Sequence, residues 1–73
     1  MGLAADFGAN VRTARRAKGM TIEALADEVG LAYSYVGQLE RGLRNPTLGV
    51  VERMASALQV TPLSLLQPVS SWG

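Results

Sequence analysis

The chain contains neither cysteine nor histidine among its 73 residues, and this absence limits how so short a sequence can be stabilised. A domain of this length buries only about 60% of the surface of its unfolded chain, so small domains commonly rely on disulfides, a metal or a second subunit. Disulfides and zinc sites built from cysteine and histidine are excluded here. The sequence therefore predicts one domain held together by helix packing, by self-association or by both.

An enzyme, a membrane protein and a secreted protein are all disfavoured by the sequence. The chain is too short for a roomy pocket and lacks histidine, so we assign no catalytic residue, metal, cofactor or small-molecule ligand. Its apolar runs are only a few residues long, and residues 1–6 lack the basic start and long apolar stretch of a signal peptide. We therefore expect a cytoplasmic location and no contact with a membrane.

Apolar residues recur at helical spacing between glycine and proline breaks, and this pattern predicts a compact all-α fold. No segment alternates between polar and apolar residues for long, so no sheet is expected. The five predicted helices span approximately residues 3–18, 22–29, 33–41, 48–58 and 62–66. The residues predicted to face the core are Leu3, Phe7, Val11, Ala14, Ile22, Leu25, Ala26, Val29, Val36, Leu39, Leu48, Val51, Ala55 and Leu58.

The C-terminal end of the chain carries more leucine than one short helix can bury. These leucines, together with two residues beside the main stripe of the fourth helix, predict an apolar patch on the surface. The patch would be covered by a second subunit or by the tail with Trp72, and we favour the second subunit. The predicted dimer interface consists of Val50, Met54, Leu63, Leu65 and Leu66. We assign residues 1–67 to one domain ending in a short dimerisation helix, and residues 68–73 to a flexible tail.

The break between the second and third predicted helices is typical of a helix-turn-helix, in which two helices cross steeply around a tight turn. Ala26 is small enough to let the third helix cross close to the second, and Gly30 can adopt the left-handed conformation of the turn. Leu31 places an apolar side chain under the turn, while Val36 and Leu39 hold the third helix on the core. A generic helical bundle allows the same residues, so the spacing alone leaves both architectures open.

The segment from Thr21 to Leu48 reads TIEALADEVGLAYSYVGQLERGLRNPTL. It resembles the lambda-repressor-like helix-turn-helix family, the Cro and xenobiotic-response-element type of bacterial and phage regulator, most clearly in QLERGLRNPTL. The resemblance covers roughly residues 11–66 and implies a five-helix DNA-binding domain. Within the family, a short chain with SYVGQLERG and a terminal helix most resembles the controller proteins of restriction–modification systems.

The resemblance implies that the third helix enters the major groove of double-stranded DNA and reads base edges. A glutamine can pair with adenine through two hydrogen bonds, and a serine one turn away shares its face. The implied base contacts are Tyr33, Ser34, Gly37 and Gln38. The implied contacts to the DNA backbone are Thr21, Tyr35, Arg41, Arg44, Asn45, Thr47, Arg12 and Arg16. Close approach to DNA and neutral drift are equally open for Gly37, as are phosphate contact and solvation for Arg12 and Arg16.

The same resemblance has consequences for assembly and location. Readers of this kind bind paired half-sites, so we expect a homodimer on an inverted-repeat operator and association with the nucleoid. A contact with RNA polymerase is left open. The direction of regulation is not implied.

Two further positions take their expected roles from the resemblance. Arg15 and Glu40 match family positions that form a buried ion pair between the first and third helices, and we expect this pair to be structural. The family usually has a phosphate-clamping glutamine where this chain has Ile22. Backbone amides, with Arg41 and Arg44, would then carry more of the DNA affinity.

Charge placement leaves two classes of function in view. Four of the seven basic residues lie between Arg12 and Lys18, and two more flank Gly42. This grouping favours a sequence-specific DNA-binding regulator. The formal net charge of only +1 keeps a protein-interaction module on the same fold, such as an antitoxin-like or accessory subunit, as the alternative.

Overall fold

The computed structural model describes residues 2–69, and their regular elements are all helical. This confirms the predicted all-α class with five helices in the predicted order. The helices are α1 (Leu3–Ala17), α2 (Ile22–Val29), α3 (Tyr33–Glu40), α4 (Leu48–Leu58) and α5 (Pro62–Leu65). Residues 70–73, which include Trp72 of the predicted tail, lie outside the described residues.

Threonine side chains begin three of the helices. The hydroxyl oxygens of Thr21, Thr47 and Thr61 each accept a hydrogen bond from the backbone N–H three residues on, at 3.0, 3.1 and 3.3 Å. Such N-caps satisfy donors that have no partner within the helix. The sequence placed these starts correctly because capping depends on local residues.

The core is formed where all five helices meet. Its largest fully buried side chains are Phe7, Leu25, Leu39, Met54, Leu65, Val11 and Val36. Phe7 and Val11 of α1 and Val36 and Leu39 of α3 were predicted to be there. Their burial sets α3 against α1 and leaves the opposite face of α3 exposed.

Two of the residues predicted to face the core are exposed, so those two predictions are wrong. Leu3 is 61% exposed and Leu48 is 79% exposed. Both are the first residue of their helix, and at these helix ends the side chain lies beyond the edge of the core. In α4 the buried face instead contains Val50 and Met54 beside Val51, because the helix presents two adjacent rows of side chains to the core.

Three of the five residues predicted to form a dimer interface are buried within the chain itself. Val50, Met54 and Leu65 are 5%, 0% and 2% exposed, so the assignment of these three to a surface patch is corrected. The reasons are the orientation of α4 and the packing of α5 on the core. Leu63 remains 75% exposed, and Leu66 is half-buried.

A buried asparagine attaches the end of α5 to α1. The Nδ2 group of Asn10 donates to the carbonyl oxygens of Leu65 at 2.9 Å and Gln67 at 2.8 Å. Further along, the backbone N–H of Val69 donates to Asp6 Oδ1 at 3.4 Å. The chain thus returns to α1 at its C-terminal end. Within residues 2–69, the helices are all too short or too polar to cross a bilayer.

Candidate nucleic-acid interface

The turn between α2 and α3 sets the direction of the exposed helix face. Gly30 ends α2 with φ 72°, a left-handed conformation that a side chain would disfavour. The backbone N–H of Leu31 donates to the carbonyl oxygen of Ala26 at 3.0 Å and closes the turn. Two helices joined in this way, with the second anchored by Val36 and Leu39, form a helix-turn-helix.

The outer face of α3 forms one wall of a shallow surface hollow. The hollow is lined by Arg12, Ile22, Tyr33, Ser34, Gly37, Gln38 and Arg41. It therefore brings together all four predicted base contacts with one residue each from α1 and α2. Ile22, which stands at the family's glutamine position, is half-buried and packs against the core. This residue gives the hollow an apolar edge in place of a polar clamp.

The base-contact candidates differ in how far they project. Tyr33 is 58% exposed and Ser34 is exposed, whereas Gly37 and Gln38 are half-buried. A Cβ atom built on Gly37 would meet no atom within 4 Å. The packing of this chain therefore does not require glycine at position 37. Close approach to a partner and neutral drift both remain as explanations of the glycine.

The candidate backbone contacts surround this face but are not all alike. Thr21 and Thr47 use their hydroxyl oxygens as N-caps, which leaves each hydroxyl hydrogen available to a phosphate. Both stand at helix N-termini, where backbone N–H groups favour anions. Arg16 is exposed on α1. Asn45 is exposed too, but it lines a different, apolar hollow together with Leu3 and Leu48.

Arg41 and Arg44, from the segment after α3, make different contacts. Arg41 Nε donates to the carbonyl oxygen of Gly37 at 3.4 Å. Arg44 Nη1 donates to Gln38 Oε1 at 3.1 Å, and its guanidinium carbon lies 5.2 Å from the centroid of the Tyr35 ring. No sequence pattern links Arg44 with Gln38, but in the structure their side chains touch.

An ion pair between α1 and α3 lies directly behind the exposed face. Arg15 Nε donates to Glu40 Oε2 at 2.6 Å, and Arg15 Nη2 donates to Glu40 Oε1 at 3.0 Å. The side chains of Arg15 and Glu40 are 9% and 0% exposed, so the expected contact is present and buried. The hydrogen bond with Glu40 raises the pKa of Arg15, and burial offsets part of that increase. Arg15 thus stays charged and fastens α3 to α1.

Two further arginine contacts were not anticipated from the sequence. Arg12 Nε lies 3.5 Å from Glu40 Oε1, so one carboxylate serves two arginines of α1 that stand three residues apart. The side chain of Arg12 is still 42% exposed and faces the hollow. Away from the hollow, Arg53 Nη1 donates to the carbonyl oxygen of Val29 at 3.0 Å and ties α4 to the end of α2.

The charge distribution favours a polyanion at the α3 face. Glu40 is withdrawn into the core, while Arg12 and Arg41 line the hollow and Arg44 stands beside it. Glu28 lines a separate hollow with Arg53. A chain with a net charge of +1 therefore presents a locally basic surface around a polar helix face.

These features define a helix-turn-helix protein, and the comparison with known families agrees. A model of the helix-turn-helix family HTH_3 matches residues 11–65, which is most of the chain. The chain therefore belongs to the helix-turn-helix family of Cro and xenobiotic-response-element type, a family of bacterial and phage transcriptional regulators and not of enzymes.

Three relatives indicate which members it is similar to. Control protein C.BamHI of Bacillus amyloliquefaciens is 43% identical over 61 residues, which cover 82% of this chain and 75% of the relative. The crystal structure of the restriction–modification controller protein C.AhdI from Aeromonas hydrophila is 44% identical, with a TM-score of 0.81, and the match covers 85% of this chain and 94% of that one. SinR, a master regulator for biofilm formation, was crystallised in complex with DNA; it is 32% identical, with a TM-score of 0.79, over 84% of this chain and 98% of that one.

Proposed function

We propose that the chain is a sequence-specific transcriptional regulator that binds double-stranded DNA as a homodimer, with α3 in the major groove of an inverted-repeat operator. The observation that carries the proposal is the hollow along α3, where Tyr33, Ser34, Gly37 and Gln38 meet Arg12 at a basic edge. A major groove about 12 Å wide admits a helix, and polar side chains on its face can reach base edges. The similarity to SinR, which was crystallised with DNA, supports the same conclusion.

The edges of this surface are suited to the DNA backbone. The capped N-termini of α2 and α4 direct backbone N–H groups outward beside Thr21 and Thr47. Arg41 and Arg44 are exposed cations next to α3, and Arg16 adds another on α1. Phosphate contacts of this kind position the protein and carry no sequence information of their own.

The homodimer is supported by the remaining exposed leucine of α5 and by the symmetry of such operators. Leu63 is 75% exposed and Leu66 is half-buried, so these two of the five predicted interface residues are available to a second chain. A single domain of this size reaches only a few base pairs. Two copies related by a two-fold axis read twice as many, at half-sites about one helical turn apart.

The narrower proposal is a restriction–modification controller that acts in the cytoplasm on the nucleoid. It is supported by the similarity to C.BamHI and C.AhdI. An inverted repeat upstream of the chain's own gene, next to a methyltransferase–nuclease pair, would support it, and absence of that pair would count against it. The contact with RNA polymerase stays a prediction that rests on the resemblance alone.

Selection of bound duplexes from a random-sequence library tests the function directly. We expect an inverted repeat whose half-sites are spaced by about 10 base pairs or a multiple of that spacing. Sedimentation of the complex should give two chains per duplex. Leu63→Ser should weaken dimerisation while changing the free energy of unfolding of the single chain little. If no duplex binds even at low salt, the regulator proposal is lost in favour of the protein-interaction module. A selected site that lacks symmetry and binds one chain contradicts the homodimer alone.

A further inference from the structure

Gln38, one of the four predicted base contacts, already accepts a hydrogen bond. Arg44 Nη1 donates to Gln38 Oε1 at 3.1 Å, and the guanidinium of Arg44 lies over the ring of Tyr35, 5.2 Å from its centroid. Tyr35 is half-buried and packs against the core, which fixes the ring. We call these three side chains, Tyr35, Arg44 and Gln38, the Gln38 brace.

The brace determines which end of the Gln38 amide faces outward. A guanidinium has only hydrogen-bond donors, so the amide atom that meets Arg44 must be the oxygen. The amide nitrogen, with its two N–H groups, is then turned away from Arg44. The ring of Tyr35 and the amide oxygen of Gln38 hold the guanidinium at two places, and a cation–π contact contributes to the first.

This orientation changes the chemistry that Gln38 offers to DNA. A free glutamine reads adenine with both ends of its amide, because adenine presents N7 as an acceptor and its N6 amino group as a donor. In the brace, Arg44 takes one of the two lone pairs of the oxygen and holds the oxygen towards its own guanidinium. The groups turned outward are then mainly the N–H donors of Gln38 and the remaining N–H donors of Arg44. Guanine presents two acceptors, N7 and O6, and no donor at its major-groove edge.

We propose, on the basis of the proposed DNA-binding function, that the Gln38 brace reads guanine where an unbraced glutamine would read adenine. Arg44 is then a positioning residue for Gln38 as well as a cation near the DNA backbone. This differs from the expectation that Arg44 contributes equally to all sequences. The brace makes base preference at one operator position depend on a residue outside α3.

Arg41 provides a matched control for Arg44. It is an exposed arginine of the same charge at the end of α3, and its Nε bonds to the carbonyl oxygen of Gly37 rather than to a side chain. Removing Arg41 should therefore cost the same unit of charge without freeing the Gln38 amide. Arg41 and Arg44 are exposed and Gln38 is half-buried, so their alanine variants should fold, and thermal unfolding checks this.

The experiment compares the base preferences of four proteins by selection from a random-sequence duplex library. The wild type, Gln38→Ala, Arg44→Ala and Arg41→Ala are used, and the position read by Gln38 is the one whose preference disappears in Gln38→Ala. At that position the wild type should prefer G·C over A·T by about tenfold, the size of one good base contact. Arg44→Ala should shift the preference towards A·T, whereas Arg41→Ala should keep G·C and weaken binding to all sequences alike.

Each other outcome counts against the inference in a recognisable way. A wild-type preference for A·T at the Gln38 position overturns it, and so does an Arg44→Ala variant that binds more weakly but keeps G·C. Both results leave the proposed function intact, because an operator has still been selected. If no sequence is enriched with the wild type at low salt, the proposed function fails and the inference fails with it.

Discussion

Replacing Glu40 with alanine should lower the free energy of unfolding by about 3–5 kcal/mol, since it leaves the charge of Arg15 buried without its partner. Arg15 loses both hydrogen bonds to the carboxylate and keeps the one that its Nη1 group donates to the carbonyl oxygen of Met20, at 2.8 Å. A domain of this size has a total stability of only about 4–11 kcal/mol. Urea denaturation followed by circular dichroism should therefore show a midpoint at a much lower urea concentration than that of the wild type.

Two further variants distinguish the contribution of the buried Arg15–Glu40 pair to stability from that of the exposed Arg12 contact. Arg12→Ala removes only the 3.5 Å contact of a 42% exposed side chain and should cost less than about 1 kcal/mol. The double variant Arg15→Met, Glu40→Leu should recover most of the stability, because apolar residues can replace a buried pair without leaving a charge behind. If Glu40→Ala and Arg12→Ala destabilise equally, the buried pair does not have the role given to it here.

Gly8→Ala should destabilise the fold by about 1–3 kcal/mol or more through overpacking. A Cβ atom at Gly8 would collide with the carbonyl oxygen of Leu39 and would lie 2.6 Å from the carbonyl oxygen of Glu40. These are backbone atoms near the end of α3, so no side chain can swing aside to make room. The helices α1 and α3 would have to separate, and the core between Phe7 and Leu39 would loosen. The midpoint of urea unfolding measures the effect.

Gly37→Ala is the matched control, because it makes the same change in a helix where nothing lies within 4 Å of the new atom. It should raise the free energy of unfolding by about 0.5–1 kcal/mol, since alanine is the better helix former. Opposite signs for the two glycines are the expected result. A Gly8→Ala variant as stable as the wild type would show that α1 and α3 do not pack as closely as described.

The helix order and most helix ends could be predicted because they depend on neighbouring residues. Thr21 and Thr47 cap the helices that follow them, and Gly30 takes the left-handed conformation at the end of α2. The orientation of α4 could not be predicted in the same way. Apolar residues occupy two adjacent rows of that helix, one with Val51 and Leu58 and one with Val50 and Met54, and only packing against the other helices shows that both rows are buried.

The contacts that the sequence did not indicate join distant or irregular parts of the chain. Asn10 bonds to the carbonyl oxygen of Leu65, 55 residues away, so no local pattern announces it. Arg44 reaches back to Gln38 from a loop whose course depends on Gly42 and the residues after it. Gly8 and Gly37 both lie inside predicted helices, so the pattern alone could not show that Gly8, and not Gly37, is pressed against a neighbouring helix. The resemblance supplied the Arg15–Glu40 pair.

The central claim is that the α3 face reads bases while the surrounding cations hold the DNA backbone. It is tested most directly by measuring the affinity of the wild type and Gln38→Ala for the selected operator and for a random duplex over a range of salt concentrations. All affinities should fall steeply with salt, as phosphate contacts require. Gln38→Ala should lose about 1–3 kcal/mol on the operator and almost nothing on the random duplex. Equal losses on both duplexes, or binding that does not respond to salt, would contradict the account.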